Sequence, residues 1–293
     1  MSVTKIDSNG IYEETCKTWD AFRKTVNKMI LKPKTPLKKK EWIFRGILEK
    51  HPLKTTLERV CKYWDIPLNR LPYIEKQLIR EIKRKAFGFG IPLPKEEDTI
   101  WWVSLMQHYG APTRLLDFTY SPYIAAYFAF EKLLFDNKKK ESAVVWAVQH
   151  EWTNLYKEQI KDKELLKDIA ASKSGVLDKL KLFDPDKPRK PSIMQVNALY
   201  LHDRITAQQG VFLLPTDISV SFMENFKSVP GYQNKNMVKK LILPKTIMDN
   251  ALAELQKMNI SRHSLFPGMG GLAESLSYRL PYFNDLAKFH DRQ

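Results

Sequence analysis

Between Gln107 and Ala129 the chain strings His108, Arg114, Asp117, Thr119 and Ser121 along a turn-rich connection that joins two apolar helical patterns. Packing alone does not call for these side chains. Short polar and charged groups on a loop held by rigid elements are the usual material of sites. His108 with Asp117 offers a general base and its orienting carboxylate, although a histidine at a helix C-terminus also suits the helix dipole. Arg114 and Asp117 either touch a ligand or satisfy each other, since a buried charge needs a partner; the mutual ion pair is the expectation. Thr119 and Ser121 bring hydroxyls that can donate to a ribose or an amide. Ser121 has a plainer use as N-cap of a helix opening at Pro122.

Two groups far away in sequence complement this loop. Arg45 stands beside Gly46 at the end of a run of aromatic and β-branched residues, Glu41 to Gly46. Its guanidinium fork fits phosphate or ribose oxygens, and the glycine lets a ligand approach the backbone; pairing with Asp117 or Glu58 is the alternative. Gln208 and Gln209, just ahead of Gly210, can each donate and accept, but neither replaces a carboxylate base. The chain has no G-x-S-x-G elbow, no G-x-x-x-x-G-K-[ST] loop and no H-E-x-x-H helix. A kinase or metal hydrolase is therefore not expected, and no metal site is assigned.

The positioning elements follow from periodicity. Thr18 can cap a helix carrying Trp19, Phe22, Val26, Met29 and Ile30 at helical spacing, ahead of a basic stretch with Pro33 and Pro36. Helices are expected over Thr55 to Trp64 and Leu71 to Phe87, with the second notably basic. Another begins at Asp98 or Thr99 and delivers Gln107 and His108 at its end, and a further one runs from Tyr123 to Leu134. Strands are expected at Glu41 to Gly46, Ser142 to Val148, near Val196 to Leu201, within Ile205 to Leu214, and at Met237 to Leu243. Helices should cover Trp152 to Ala171 and about Lys245 to Met258, with a linker over Lys181 to Lys190. Strands separated by long helices, without regular alternation, give an α+β class rather than a doubly wound nucleotide fold.

The chain has 293 residues, 43% hydrophobic, enough for a substantial core. With 48 Lys+Arg against 33 Asp+Glu, its net charge of +15 favours anionic partners, whether nucleic acid, a phosphorylated cofactor or an acidic protein. Solvated lysines kept for solubility explain part of that charge equally well. Two cysteines, Cys16 and Cys61, make no disulfide framework and suit a reducing, cytoplasmic setting. The polar start and the short apolar runs point to neither secretion nor a membrane.

Phe44-Arg45-Gly46, Leu57-Glu58-Arg59, the segment Gln107 to Asp117, Gln208 to Phe212 and Leu265 to Gly268 occur in the order that resembles the FRG domain family of bacteria and phages. The resemblance runs from about Trp42 to Leu276. It divides the chain into an N-terminal helical extension (1–40), the FRG domain (41–280) and a C-terminal tail (281–293). A second resemblance, to ADP-ribosyltransferases of the Arg-Ser-Glu type, rests on Arg45, then Thr119 and Ser121 before Ala125 to Ala129, then Gln208 and Gln209. It implies a split mixed sheet with helical insertions and NAD as cofactor. Arg45 and Gly46, with Arg114, would hold the NAD phosphates or ribose. Thr119 and Ser121 would line the nicotinamide pocket, and Gln209 or Gln208 would stand where that family has its catalytic glutamate. A neutral amide stabilises an oxocarbenium ion poorly, so either Asp117 or Glu58 would supply the carboxylate, or the site would bind a nucleotide without the usual transfer. Together the resemblances imply an NAD-using effector in bacterial or phage conflict, with a nucleic acid or protein as possible acceptor. A non-catalytic nucleic-acid-binding module and a metal-independent nuclease are the alternatives.

Overall fold

The computed structural model describes residues 3–30, 42–49, 51–134, 141–153, 182–187, 190–197 and 203–280. Its spine is β5 (Ser142–Gln149), whose sequence SAVVWAVQ is buried from Ala143 onward because both sheet faces are covered. On one side β5 pairs antiparallel with β3 (Trp42–Leu48), and on the other with β8 (Val238–Pro244). The full order is β1-β2-β8-β5-β3-β4-β7-β6, with β1 (Val3–Ile6), β2 (Tyr12–Thr15), β4 (Leu116–Thr119), β6 (Ile193–Val196) and β7 (Gly210–Pro215). Only β2 and β8 run parallel among these neighbours, so the sheet is mixed and the class is α+β, as expected.

One face of the sheet is covered by α1 (Trp19–Ile30), α5 (Pro122–Leu134) and α9 (Met248–Lys257), which pack Trp19, Phe22, Phe130 and Leu255 against Phe44 and Val145. On the other face, α8 (Phe222–Ser228) sets Phe222 and Phe226 on Ile43, Trp146 and Val148. A third cluster lies between α3 (Leu71–Lys85), α4 (Thr99–His108) and the β6–β7 edge, built on Ile79, Val103, Leu115 and Leu214. Helix α2 (Thr56–Tyr63) joins α3 through Leu57, Cys61 and Leu71. α5 lies so close to β3 that a Cβ on Gly46 would stand 1.8 Å from the Ala125 carbonyl oxygen. That glycine is needed for packing rather than for an unusual φ.

Several expectations change. The first thirty residues add two strands before their helix, and both join the main sheet. The expected loop after Gly110 contains β4, too short to show alternation in sequence but hydrogen-bonded on both edges. Ile205 lies in α7 (Asp203–Ala207), and the strand begins only at Gly210, after Gln209 takes a φ of 47°. β6 ends at Val196, where a strand was expected to begin. The helix expected over Trp152 to Ala171 lies largely outside the described residues, as do 281–293.

Candidate functional site at the parting of two strands

β3 and β4 share one residue pair, Phe44 with Thr119. Beyond it β3 continues along β5 to Leu48, while β4 continues along β7 to Leu116, so the sheet opens between them. Arg45 reaches across this opening: its Nη1 donates to the Asp117 main-chain oxygen at 2.5 Å, with the Asp117 carboxylate at 3.9 Å. Its Nε is buried and has no hydrogen-bond partner. The side chain is 14% exposed, and loss of solvent pulls the guanidinium down to about 10 against the opposing pull of Asp117. It remains cationic at neutral pH. A buried donor without an acceptor costs free energy in the free protein and is available to a ligand.

Asp117 forms the outer lip, with its side chain 60% exposed. Gln107, at the end of α4, donates to the Asp117 carboxylate at 2.6 Å, and the Thr113 hydroxyl donates to the Gln107 amide oxygen. Thr113 in turn accepts from Leu57 N and donates its own N–H to the Thr56 hydroxyl, which ties the lip to the start of α2. Three more cations act on this place. Lys132 of α5 is an exposed residue, yet its ammonium is pulled down to about 8, first by loss of solvent and then by the guanidiniums of Arg45 and Arg59. Arg204 of α7 is lowered chiefly by burial, with Asp117 pulling the other way, and its guanidinium lies 4.5 Å from the Phe266 ring centre. Like charges held near one carboxylate make a place for an anion.

The residues expected from sequence divide. Thr119 Oγ1 donates to the Gln208 carbonyl at 2.7 Å and accepts from Ser121 N at 3.0 Å. Ser121 Oγ accepts from Ile124 N at 3.3 Å, its expected capping bond. Gln208 Nε2 donates to the Leu265 carbonyl at 3.0 Å, which joins the L-F-P-G motif to the same corner. Gln209 accepts from Tyr120 N through its main chain, and its side chain is exposed. So Thr119, Ser121, Gln208 and Gln209 form one linked corner at the β3–β4 contact.

Arg114 does not belong there. The expected pairing with Asp117 is replaced by one with Glu75 of α3: Arg114 Nε reaches both carboxylate oxygens, at 2.9 and 2.8 Å, and Nη2 reaches one of them. Nη1 donates to the Leu182 carbonyl at 3.0 Å. Glu58 is likewise engaged elsewhere, accepting from Phe222 N at 3.3 Å at the start of α8, and burial raises its carboxyl. Asp117 takes its hydrogen bond from Gln107, and the His108 ring stands edge-on to Tyr109 at 4.9 Å. Lys132, Arg59 and Arg204 were missed by sequence reasoning. Lys132 was the most legible of them, the one cation in a helix whose only other charged residue is Glu131.

A model of the FRG domain family matches residues 40–141. The chain carries an FRG domain. The matched segment contains Arg45, Gly46, Asp117, Thr119, Ser121 and Lys132, and ends before Gln208. No curated protein and no solved structure matches the chain. Among the described residues no three His, Cys, Asp or Glu side chains group as a metal site, and no helix is long and apolar enough to cross a membrane.

Proposed function

We propose that the opening between β3 and β4 of the FRG domain binds the phosphates of NAD or a related nucleotide, and that the protein uses NAD as an ADP-ribosyltransferase or NAD glycohydrolase does. The observation that carries this reading is Arg45: a buried guanidinium held by one main-chain oxygen, its Nε without a partner, at the place where the sheet parts. A phosphate oxygen would satisfy that donor with a charge-assisted hydrogen bond. Lys132, Arg59 and Arg204 add the positive potential that a pyrophosphate needs.

Asp117 is the carboxylate of this reading. It stands at the lip with one oxygen held by Gln107, so its other oxygen can face a developing positive charge on a ribose ring. Gln208 is committed to Leu265 and serves as a wall, and Gln209 offers an amide for hydrogen bonding to sugar or nicotinamide. A part in bacterial or phage conflict, and a nucleic acid or protein acceptor, come from the family resemblance.

The test is an NAD titration of the purified protein with an assay of nicotinamide release. Asp117→Asn is expected to keep binding and to lower turnover on the order of 100-fold or more. Arg45→Met is expected to weaken binding by roughly 10- to 150-fold. A folded parent protein that neither binds, hydrolyses nor transfers from NAD would sink the proposal.

A further inference from the structure

The six exposed aromatic rings among the described residues, Tyr63, Trp64, Tyr73, Phe87, Phe89 and Tyr109, all fall in the segment from α2 to the end of α4. Phe87 and Phe89 are the most open in their part of it, at 85% and 76%. Rings this exposed contribute nothing to the core they adjoin, and their clustering in one segment asks for a partner.

Helix α3 shows how they are arranged. Leu71, Glu75 and Ile79 turn inward. Tyr73, Lys76, Arg80 and Arg84 are exposed at three- and four-residue spacing, which puts them on one face, and the stripe runs on to Phe87 in the 3-10 turn Ala86–Phe89. A ring stands at each end with cations between. Lys76 and Arg80 form no ion pair among the described residues, and Glu81 takes Arg84 at 3.6 Å and Lys85 at 2.7 Å in exposed pairs of small worth. From Tyr73 to Phe87 the stripe covers about 20 Å of helix, the length of roughly six stacked nucleotides at ~3.4 Å each.

We propose that this face of α3, from Tyr73 to Phe87, together with the exposed Phe89 of the 3-10 turn beyond it, binds single-stranded nucleic acid, with the rings stacking on bases and Lys76, Arg80 and Arg84 holding phosphates. The chemistry selects the strand state. A duplex keeps its bases stacked on one another and offers these rings nothing but an edge, whereas unpaired bases present a π-face whatever their sequence. An apolar partner fits less well, because the cations divide the rings. This surface does not use the Arg45 opening, and it stands whether or not NAD binds there.

Fluorescence anisotropy of the full chain with a labelled mixed-sequence strand of roughly twelve nucleotides tests it, between about 50 and 200 mM salt. Affinity should fall with a log–log slope near −2, about −0.7 for each of the cations. Phe87→Ala combined with Phe89→Ala should weaken binding roughly tenfold or more at unchanged slope. Arg80→Glu with Arg84→Glu should weaken it and flatten the slope. All four sites are exposed, so thermal melting should stay unchanged, and Arg45→Met should bind the strand like the parent. The proposal fails if the strand does not bind at low salt, if the ring variant binds like the parent, or if a duplex binds equally well. It fails too if Arg45→Met loses the strand, or if an acidic peptide competes as effectively, which would give the face to an acidic protein.

Discussion

Arg45 and Arg114 are the same residue type, both largely out of solvent, in opposite circumstances. Arg114 is saturated: Glu75 meets it with both oxygens, the Leu182 carbonyl takes Nη1, and the Phe183 ring lies 4.5 Å from its guanidinium carbon. Arg45 has one main-chain oxygen, a carboxylate at 3.9 Å and a buried Nε with nothing to bond. A complete set of partners makes a charge part of the scaffold, fixing α3 and β4 together. An incomplete set, kept at a cost in solvation, marks the charge that waits for a ligand.

Substitutions should pull the two arginines apart, and the largest effect belongs to the saturated one. Glu75→Ala leaves the Arg114 guanidinium buried without its carboxylate and should cost about 3 to 5 kcal/mol of stability by denaturant unfolding. A small loss would mean that solvent reaches the pair and that the contrast is overstated. Arg45→Met should behave in reverse. Removing an under-partnered buried cation should leave stability level or slightly higher. Nucleotide affinity should drop by about 1.5 to 3 kcal/mol, the worth of a hydrogen bond to a charged group. Arg45→Met unfolding as readily as Glu75→Ala would make Arg45 scaffold as well.

The contrast was half legible in the sequence. Arg45 announced itself as an arginine beside a glycine in an aromatic and β-branched run, but the strand expected to end at Gly46 runs on to Leu48, because Ile47 and Leu48 keep their pairing with β5. The partner of Arg114 lies on α3, which read only as a basic helix; Glu75 falls midway between Leu71 and Ile79 at four-residue spacing, on the inward face, but that spacing does not name the arginine it meets. β4 was hidden by its length, four residues with Asp117 among them, and β1 and β2 by equal shortness and by Lys5 and the adjacent Glu13 and Glu14, which break any alternation. The α2 and α3 helices were visible by their amphipathic spacing, and α4 and α5 as nearly continuous apolar runs bounded by turn residues. Lys132 and Arg204 reach the opening only through tertiary packing, which periodicity does not encode.

Smaller effects grade the hydroxyl corner and the remaining cations. Ser121→Ala removes the bond to Ile124 N and should cost about 1 kcal/mol in stability, as lost N-caps do, with nucleotide affinity unchanged. A loss of affinity at unchanged stability would instead place this hydroxyl against the ligand.

The finest test is a pH profile of Lys132. Its ammonium is held near 8, below the ordinary 10.5, so the folded protein releases this proton between about pH 7 and 9 while the unfolded chain keeps it to higher pH. In that window the unfolded state binds more protons, and the free protein gains stability as pH rises. Affinity for an anion runs the other way, because raising the pH removes a charge that faces it. ADP-ribose, which carries the two phosphates without the reactive bond, should therefore bind roughly fivefold more weakly at pH 9 than at pH 7, the worth of one exposed charge pair. Lys132→Met should start lower and lose this dependence, by titration calorimetry at both pH values. A variant that keeps the full decline would assign the titration to another group and separate Lys132 from the Arg45 opening.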